Sequence, residues 1–164
     1  MKNIYIIGGT MGIGKTTVSK QLMKLLPDAV FLDGDWCWQA DPFQVTTETK
    51  AMVMDNICYL LNNFIRCQAY SNVIFCWVMH KQEIIDEIFL RLDTENHRVH
   101  AISLVADEEA LTARLMKDVT AGERQQDVIE RSIARIPLYK SLDTIKIDVS
   151  RLSPDEAAQI IAEL

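Results

Sequence analysis

A glycine-rich segment near the start of the chain, Gly-Gly-Thr-Met-Gly-Ile-Gly-Lys-Thr-Thr at positions 8–17, carries the residue types that bind phosphate. The pattern G-x-x-x-x-G-K-[ST] is met by Gly9, Gly14, Lys15 and Thr16. An apolar β-like run precedes the segment and a helix-like run follows it, which is the context that a phosphate-binding loop requires. Glycine lets backbone N–H groups approach an anion closely, and the helix N-terminus adds a positive partial charge. The sequence therefore predicts a nucleoside triphosphate site.

The side chains of this segment predict a nucleotide bound with a metal ion. Lys15 supplies a positive charge for the β- and γ-phosphates, and the Thr16 hydroxyl is a ligand suited to Mg²⁺. We expect ATP and Mg²⁺ as cofactors, although another purine triphosphate is left open. The residues expected to contact the nucleotide are Gly9, Gly12, Ile13, Gly14, Lys15, Thr16 and Thr17.

A second group of polar residues, Asp33-Gly34-Asp35, ends the next β-like run. Residues two apart share a face in an extended chain, so the two carboxylates should point to the same side. Because carboxylates beside a triphosphate repel it unless a metal intervenes, we expect Asp33 to bind Mg²⁺ together with Thr16. Asp35 is the candidate for accepting a hydrogen bond, and a proton, from an acceptor hydroxyl. The alternative is an ordinary turn, in which Asp and Gly are common.

Composition limits the class of protein and its partners. The chain has 164 residues, a net charge of −6 and no run rich in lysine or arginine, so we expect one domain and neither a nucleic-acid nor a membrane partner. The first residues are too short a run for a signal sequence, and no apolar stretch approaches membrane-spanning length. Four cysteines without a C-x-x-C pair indicate reduced thiols in a cytoplasmic protein. Monomer and homodimer both remain possible.

Strand-like and helix-like segments alternate along the chain. Apolar runs predict strands at 3–8, 29–32, 73–79, 99–105 and 145–149. Amphipathic spacing predicts helices at about 15–26, 47–70, 81–92, 108–117 and 126–136, and a last one after Ser153. This alternation is typical of a parallel sheet with helices on both faces, in which ligands bind beyond the carboxyl ends of the strands. Segments 8–16, 33–35 and 79–80 should therefore form one site.

Three further segments resemble those of small P-loop kinases of the adenylate-kinase-like group, above all shikimate and gluconate kinases. Asp-Gly-Asp at 33–35 resembles their D-[SG]-D, Leu-Thr-Ala-Arg at 111–114 resembles their L-x-x-R, and Arg-Ile-Pro-Leu-Tyr at 135–139 is similar to the R-x-P-L-Y of shikimate kinases. The resemblance implies a single three-layer α/β domain over 1–164. It also implies a P-loop NTPase fold with a five-stranded parallel sheet in the order 2-3-1-4-5 and a short lid.

The resemblance also implies roles for arginines. Arg114 corresponds to the arginine placed near adenine, and Arg135 to one that binds an anionic acceptor. In the lid, at about 118–126, Arg124 is expected to close over the γ-phosphate as a catalytic clamp, with Arg131 as the alternative. The competing interpretation is that these four arginines lie on the surface, exposed to solvent or paired with acidic residues in helical salt bridges.

The acceptor side matches none of these kinases. Cys-Trp-Val-Met-His at 76–80 stands where shikimate kinases have Gly-Gly-Gly, so the resemblance does not name the acceptor. We expect segment 36–70 to bind the acceptor, with contacts from Asp35, Trp38, His80 and Arg135. The aromatic residues Trp36, Trp38, Phe43 and Trp77 fit a pocket for a ring-bearing compound, or ordinary core packing, with Trp77 the strongest core candidate.

The function predicted from these observations is an ATP- and Mg²⁺-dependent kinase that transfers the γ-phosphoryl group to a hydroxyl of a small molecule. Two alternatives remain: a nucleoside or nucleoside-monophosphate kinase, and a non-catalytic ATP-binding switch. A GTPase is disfavoured because no N-K-x-D follows the fourth strand.

Overall fold

A computed structural model describes residues 1–123, 125 and 127–164 and shows a five-stranded parallel sheet. The strands are β1 (Asn3–Gly8), β2 (Ala29–Asp33), β3 (Asn72–Trp77), β4 (Arg98–Val105) and β5 (Ile145–Asp148). Their order in the sheet is β2-β3-β1-β4-β5, which confirms the predicted order 2-3-1-4-5. The helices are α1 (Lys15–Leu25), α2 (Thr47–Arg66), α3 (Gln82–Arg91), α4 (Glu108–Thr120), α5 (Asp127–Lys140) and α6 (Pro154–Ala162), and a 3₁₀ turn spans Gly34–Cys37.

Two apolar cores lie on opposite faces of the sheet. Alternate residues of the buried central strand β1 enter different cores, since successive side chains of a strand point to opposite faces. Tyr5 and Ile7 join the core formed with α1, α4 and α6, whereas Ile4 and Ile6 join the core formed with α2 and α3. The three-layer arrangement predicted from the sequence is therefore confirmed.

Several helix ends differ from the prediction. The fifth helix was expected to end at residue 136, before Pro137, but α5 continues to Lys140. Its last turn buries the ring of Tyr139, only 1% exposed, in the core formed with α2 and α3. Burial of this apolar ring favours continuation of the helix past the proline. Helix α2 ends at Arg66, four residues early, where the Lys2 ammonium donates to the carbonyls of the following turn.

The predicted lid falls across the end of α4. Residues 118–120 form its last turn, and Ala121, Gly122 and Glu123 continue as a turn. Arg124 lies outside the described residues, so its role as a clamp stays a prediction.

Two further sequence expectations concern the cysteines and the membrane. All four cysteines are free thiols. Among the residues described, no helix combines the length and the apolar character needed to cross a lipid bilayer.

The loop between β1 and α1 is held from behind by α4 and α5. A Cβ at Gly12 would lie 2.2 Å from Leu115 Cδ2 on α4, so only glycine fits there. The buried Thr10 hydroxyl donates to the Ser132 carbonyl of α5 at 3.0 Å. Both contacts join the loop to residues more than a hundred positions further along the chain.

Substitution of Gly12 tests the contact with α4. Gly12 has φ 78° and Gly122 has φ 76°, but nothing lies within 4 Å of a Cβ at Gly122. We expect Gly122→Ala to lower the unfolding free energy by about 1 kcal/mol from backbone strain alone. Gly12→Ala should lower the unfolding free energy by about 1–3 kcal/mol more than Gly122→Ala does, because its methyl group overlaps Leu115. Chemical denaturation of both variants measures the difference, and equal costs would contradict the contact.

Candidate active site

The glycine-rich loop leads directly into the first turn of α1. Gly14 precedes the helix with φ 104°, and no side chain caps the helix N-terminus. The first turn contains no acidic residue. Its unpaired N–H groups and the positive end of the helix dipole are therefore suited to an anion.

Lys15 is the first residue of α1, and its side chain contacts the glycine-rich loop. The Lys15 ammonium donates to the Thr10 carbonyl at 2.9 Å, which keeps the positive charge beside the loop. Burial raises the pKa of the nearby Cys76 thiol to about 12, so this cysteine is a protonated thiol at neutral pH. Cys76 is therefore uncharged at neutral pH, and the positive charge beside the loop comes from Lys15.

Thr16 and Asp33 form the candidate metal site. The Thr16 hydroxyl donates to Asp33 Oδ2 at 2.6 Å, and Asp33 is only 5% exposed. The second oxygen, Oδ1, accepts from the Asp35 backbone N–H at 3.0 Å. A hydroxyl and a carboxylate in contact are the hard oxygen ligands that Mg²⁺ prefers, with water and phosphate oxygens completing its coordination. The donor set therefore fits the ion that the sequence predicts.

A cleft of about 850 Å³ opens at the carboxyl ends of the strands. It brings together most of the predicted site residues, namely Gly12, Gly14, Lys15, Thr16, Thr17, Asp33, Asp35, Trp38, Arg114 and Arg135. Of the other predicted residues, Gly9 is buried and Ile13 lines a smaller adjoining cavity. His80 is half-buried and does not line the cleft.

The structure separates the aromatic residues that the sequence grouped together. Trp38, Phe43 and Trp77 line the cleft, whereas Trp36 does not and packs edge-on against Phe31. Trp77 was expected mainly in the core, but its half-buried ring belongs both to the cleft wall and to the margin of the core. A Cβ at Gly34 would lie 2.5 Å from Trp77 Cγ, so the glycine of Asp-Gly-Asp is required for this packing.

Sequence reasoning missed Lys117 of α4 as a cleft residue, whereas Asp118 and Glu123 fall in the segment that it predicted as a lid. Lys117, Asp118 and Glu123 line the cleft with Arg114. The signal was available in the helical spacing, since residues three and four positions after Arg114 share its face.

Arg114 lies between the cleft and a cavity of about 250 Å³. Its guanidinium donates to the carbonyls of Ile13, at 3.0 Å, and Val149. The cavity is mostly apolar, and its lining includes Val18, Val149, Leu152 and Ala157. The arginine that resemblance places near adenine thus ties the glycine-rich loop to the end of β5 at the mouth of an apolar cavity.

Two arginines of α5 also line the cleft, and they differ in their partners. Arg131 forms an ion pair with Asp127 at 3.2 Å, in agreement with the salt bridge considered for it. The Arg135 side chain makes no hydrogen bond or ion pair to any residue that the structure describes. The pKa of His80 is lowered mainly by burial, and the positive charges of Arg135 and Lys81 lower it further.

Comparisons with known proteins agree with this geometry. The tunicamycin resistance protein of Deinococcus radiodurans is 20% identical with TM-score 0.73, over 99% of this chain and 95% of that chain. A gluconokinase from Sinorhizobium meliloti 1021 is 15% identical with TM-score 0.67, over 98% and 94% of the chains. Shikimate kinase from Acinetobacter baumannii is 21% identical with TM-score 0.63, over 99% and 92%.

These likenesses show that the chain has the fold of the small P-loop kinases. Residues 6–135 match the AAA domain family, and the chain belongs to that family. None of the curated proteins compared with the chain matches it in sequence.

The lowered pKa of His80 predicts a pH dependence of stability. In the unfolded chain the imidazole titrates near its ordinary value of 6.5, whereas in the folded protein it stays neutral to lower pH. The unfolded state therefore binds more protons in this interval, and the unfolding free energy falls as the pH drops through 6.5. His80→Asn should reduce this fall, as measured by denaturation at pH 7.5 and 5.5.

Direct titration is the control for that prediction. Histidine ring resonances followed by NMR should give His80 a pKa below 6.5. A value at or above 6.5, with an unchanged pH dependence in His80→Asn, would contradict the prediction.

Proposed function

We propose that this protein is an ATP- and Mg²⁺-dependent phosphotransferase that moves the γ-phosphoryl group to a hydroxyl of a small-molecule acceptor. The observation that supports the proposal most is that Lys15, the Thr16–Asp33 pair and Asp35 line a single cleft. Phosphoryl transfer requires mainly positioning of the reactants and neutralisation of charge on the phosphate oxygens. This cleft supplies groups for both tasks.

On the nucleotide side, the loop amides and Lys15 bind the phosphates. Thr16 and Asp33 would hold magnesium, which when bound neutralises negative charge on the β- and γ-phosphate oxygens. The apolar cavity beside Arg114 has a lining suited to the base. ATP is the purine triphosphate that we propose.

On the acceptor side, Asp35 lies at the exposed edge of the metal site. Its backbone N–H donates to Asp33, which fixes the position of the residue next to the buried carboxylate. The Asp35 carboxylate would orient the acceptor hydroxyl and take its proton as the oxygen attacks the γ-phosphorus. The bond from that phosphorus to the bridging oxygen of ADP then breaks. Arg135 lines the same cleft and can bind an anionic group of the acceptor or the transferred phosphoryl group.

The names of the similar structures do not identify the acceptor. They include a gluconokinase, a shikimate kinase, a fungal RNA kinase and a tunicamycin resistance protein, all at 21% identity or less. A nucleoside kinase is the second candidate, favoured by the aromatic residues in the cleft. A non-catalytic switch fits less well, because it has no use for a second carboxylate beside the metal site.

The proposal predicts that ADP release from MgATP depends on an acceptor and on Lys15. Purified protein should release ADP well above background with at least one compound from a panel of nucleosides, sugars, hydroxy acids and antibiotics. Lys15→Ala should lower this turnover at least about 100-fold, because it removes a charge that stabilises the transferred group. Asp35→Asn should also lower kcat strongly. A coupled-enzyme assay that detects ADP measures the turnover of the wild type, Lys15→Ala and Asp35→Asn.

Lys20→Ala is the matched control, since Lys20 is an exposed lysine of the same helix outside the cleft. It should leave turnover unchanged. Full activity in a folded Lys15→Ala protein would contradict the proposal, as would tight ATP binding without acceptor-dependent ADP release across the panel.

A further inference from the structure

One wall of the cleft is built from apolar side chains that solvent reaches. It consists of Trp38, Phe43 and Val45, all of which line the cleft. Phe43 and Val45 are each 58% exposed, and the rings of Trp38 and Phe43 lie 4.5 Å apart between centroids at an angle of 40°. We call these three residues the aromatic wall. Clustered apolar side chains left open to water inside a binding cleft are typical of a surface that a ligand covers.

The aromatic wall is joined directly to the candidate catalytic carboxylate. Trp38 follows Asp35 by three residues at the end of the 3₁₀ turn, and its backbone N–H donates to the Asp35 carbonyl at 3.4 Å. The Asn56 side chain of α2 donates to the Cys37 carbonyl at 3.2 Å, which attaches this turn to the helix. Because Trp38 and Asp35 belong to one short turn and both line the cleft, a compound lying against Trp38 shares the cleft with Asp35.

The other end of the aromatic wall is fixed by the N-terminus of α2. Thr46 and Thr49 form a reciprocal capping box directly after Val45. The Thr49 hydroxyl also donates to the Gln44 carbonyl at 2.9 Å, between Phe43 and Val45. The exposure of these two side chains thus belongs to an anchored segment, and it is not the result of a loose loop end.

We propose that the acceptor is an alcohol carried on a flat, apolar ring system, aromatic or heterocyclic, whose ring packs on the aromatic wall while its hydroxyl meets Asp35. This inference rests on the proposed phosphotransferase and names the substrate class of the same site. A ring gains both apolar burial and a favourable ring–ring geometry on Trp38 and Phe43. A polyhydroxylated acid or open-chain polyol would place hydroxyls against apolar side chains, where they lose hydrogen bonds to water.

The test separates ring recognition from catalysis by measuring binding without turnover. Saturation-transfer NMR in the presence of MgADP would use uridine, adenosine and 2-phenylethanol as ring probes, with gluconate, ribitol and shikimate as polyhydroxylated probes. The proteins are the wild type, Phe43→Ala, Trp38→Ala and Trp36→Ala. Trp36 is the matched control, because it is 52% exposed in the same segment but lies outside the cleft.

We expect ring protons of at least one ring probe to be saturated by the wild type and by Trp36→Ala. The effect should fall about tenfold in Phe43→Ala and in Trp38→Ala, and Phe43→Leu should retain part of it. Thermal unfolding of each variant establishes that it is folded. Preferential binding of the polyhydroxylated probes, or no binding of any ring probe, would overturn the inference. Undiminished ring binding in both folded wall variants would overturn it as well.

Turnover measurements distinguish failure of the proposed phosphotransferase from failure of the ring-bearing substrate class. Lys15→Ala should bind the ring probes as the wild type does while losing turnover. If the wild type binds rings on the aromatic wall but releases no ADP with any ring-bearing alcohol, the phosphotransferase is refuted. If it phosphorylates a ringless polyol, the phosphotransferase stands and the ring class is refuted.

Discussion

The hydrogen bond between Thr16 and Asp33 is the interaction on which the geometry of the site depends. Asp33 is 5% exposed, and a buried carboxylate without hydrogen-bond partners would cost several kcal/mol. That cost is a large share of the total stability of a small domain. Asp33 avoids it with the Thr16 hydroxyl on one oxygen and the Asp35 N–H on the other. The first bond joins α1 to the end of β2, and the second fixes the start of the 3₁₀ turn. These two bonds fix the positions of the glycine-rich loop, the candidate metal site and Asp35 relative to one another.

The sheet and most of the site were predictable because their signals are local. Each strand is a short apolar run bounded by turn residues, and the loop pattern requires a strand before it and a helix after it. Parallel strands place their carboxyl ends at one edge, so Thr16, Asp33 and Asp35 were expected together before any distance was known. The order of the strands followed from resemblance to known kinases and is confirmed by the sheet.

Long-range packing was not predictable from the same patterns. The overlap that excludes a side chain at Gly12 involves Leu115, and the carbonyls bound by Arg114 belong to Ile13 and Val149. No local spacing encodes these contacts. The same limit applies to the tryptophans: Trp36 and Trp38 are two residues apart, but the 3₁₀ turn sends only Trp38 into the cleft. Burial of Tyr139 similarly carries α5 through Pro137.

The similar structures share the fold but act on different compounds, so the acceptor must be inferred from the cleft itself. The charged half of the cleft, around Lys15 and Asp33, is suited to a triphosphate and its metal. The other half is the aromatic wall. This division of one cleft into a phosphate side and an apolar side, with Asp35 between them, is the basis of the functional account.

The most direct test of that account is the affinity for ATP measured by calorimetry with Mg²⁺ and with chelator, for the wild type, Thr16→Val and Thr16→Ser. If Thr16 and Asp33 hold the metal, Mg²⁺ should strengthen ATP binding to the wild type, and this gain should fall about tenfold or more in Thr16→Val. Thr16→Ser, which keeps the hydroxyl, should restore it. An identical gain in the wild type and in folded Thr16→Val would contradict the assignment of the metal site and, with it, the proposed phosphoryl transfer at this cleft.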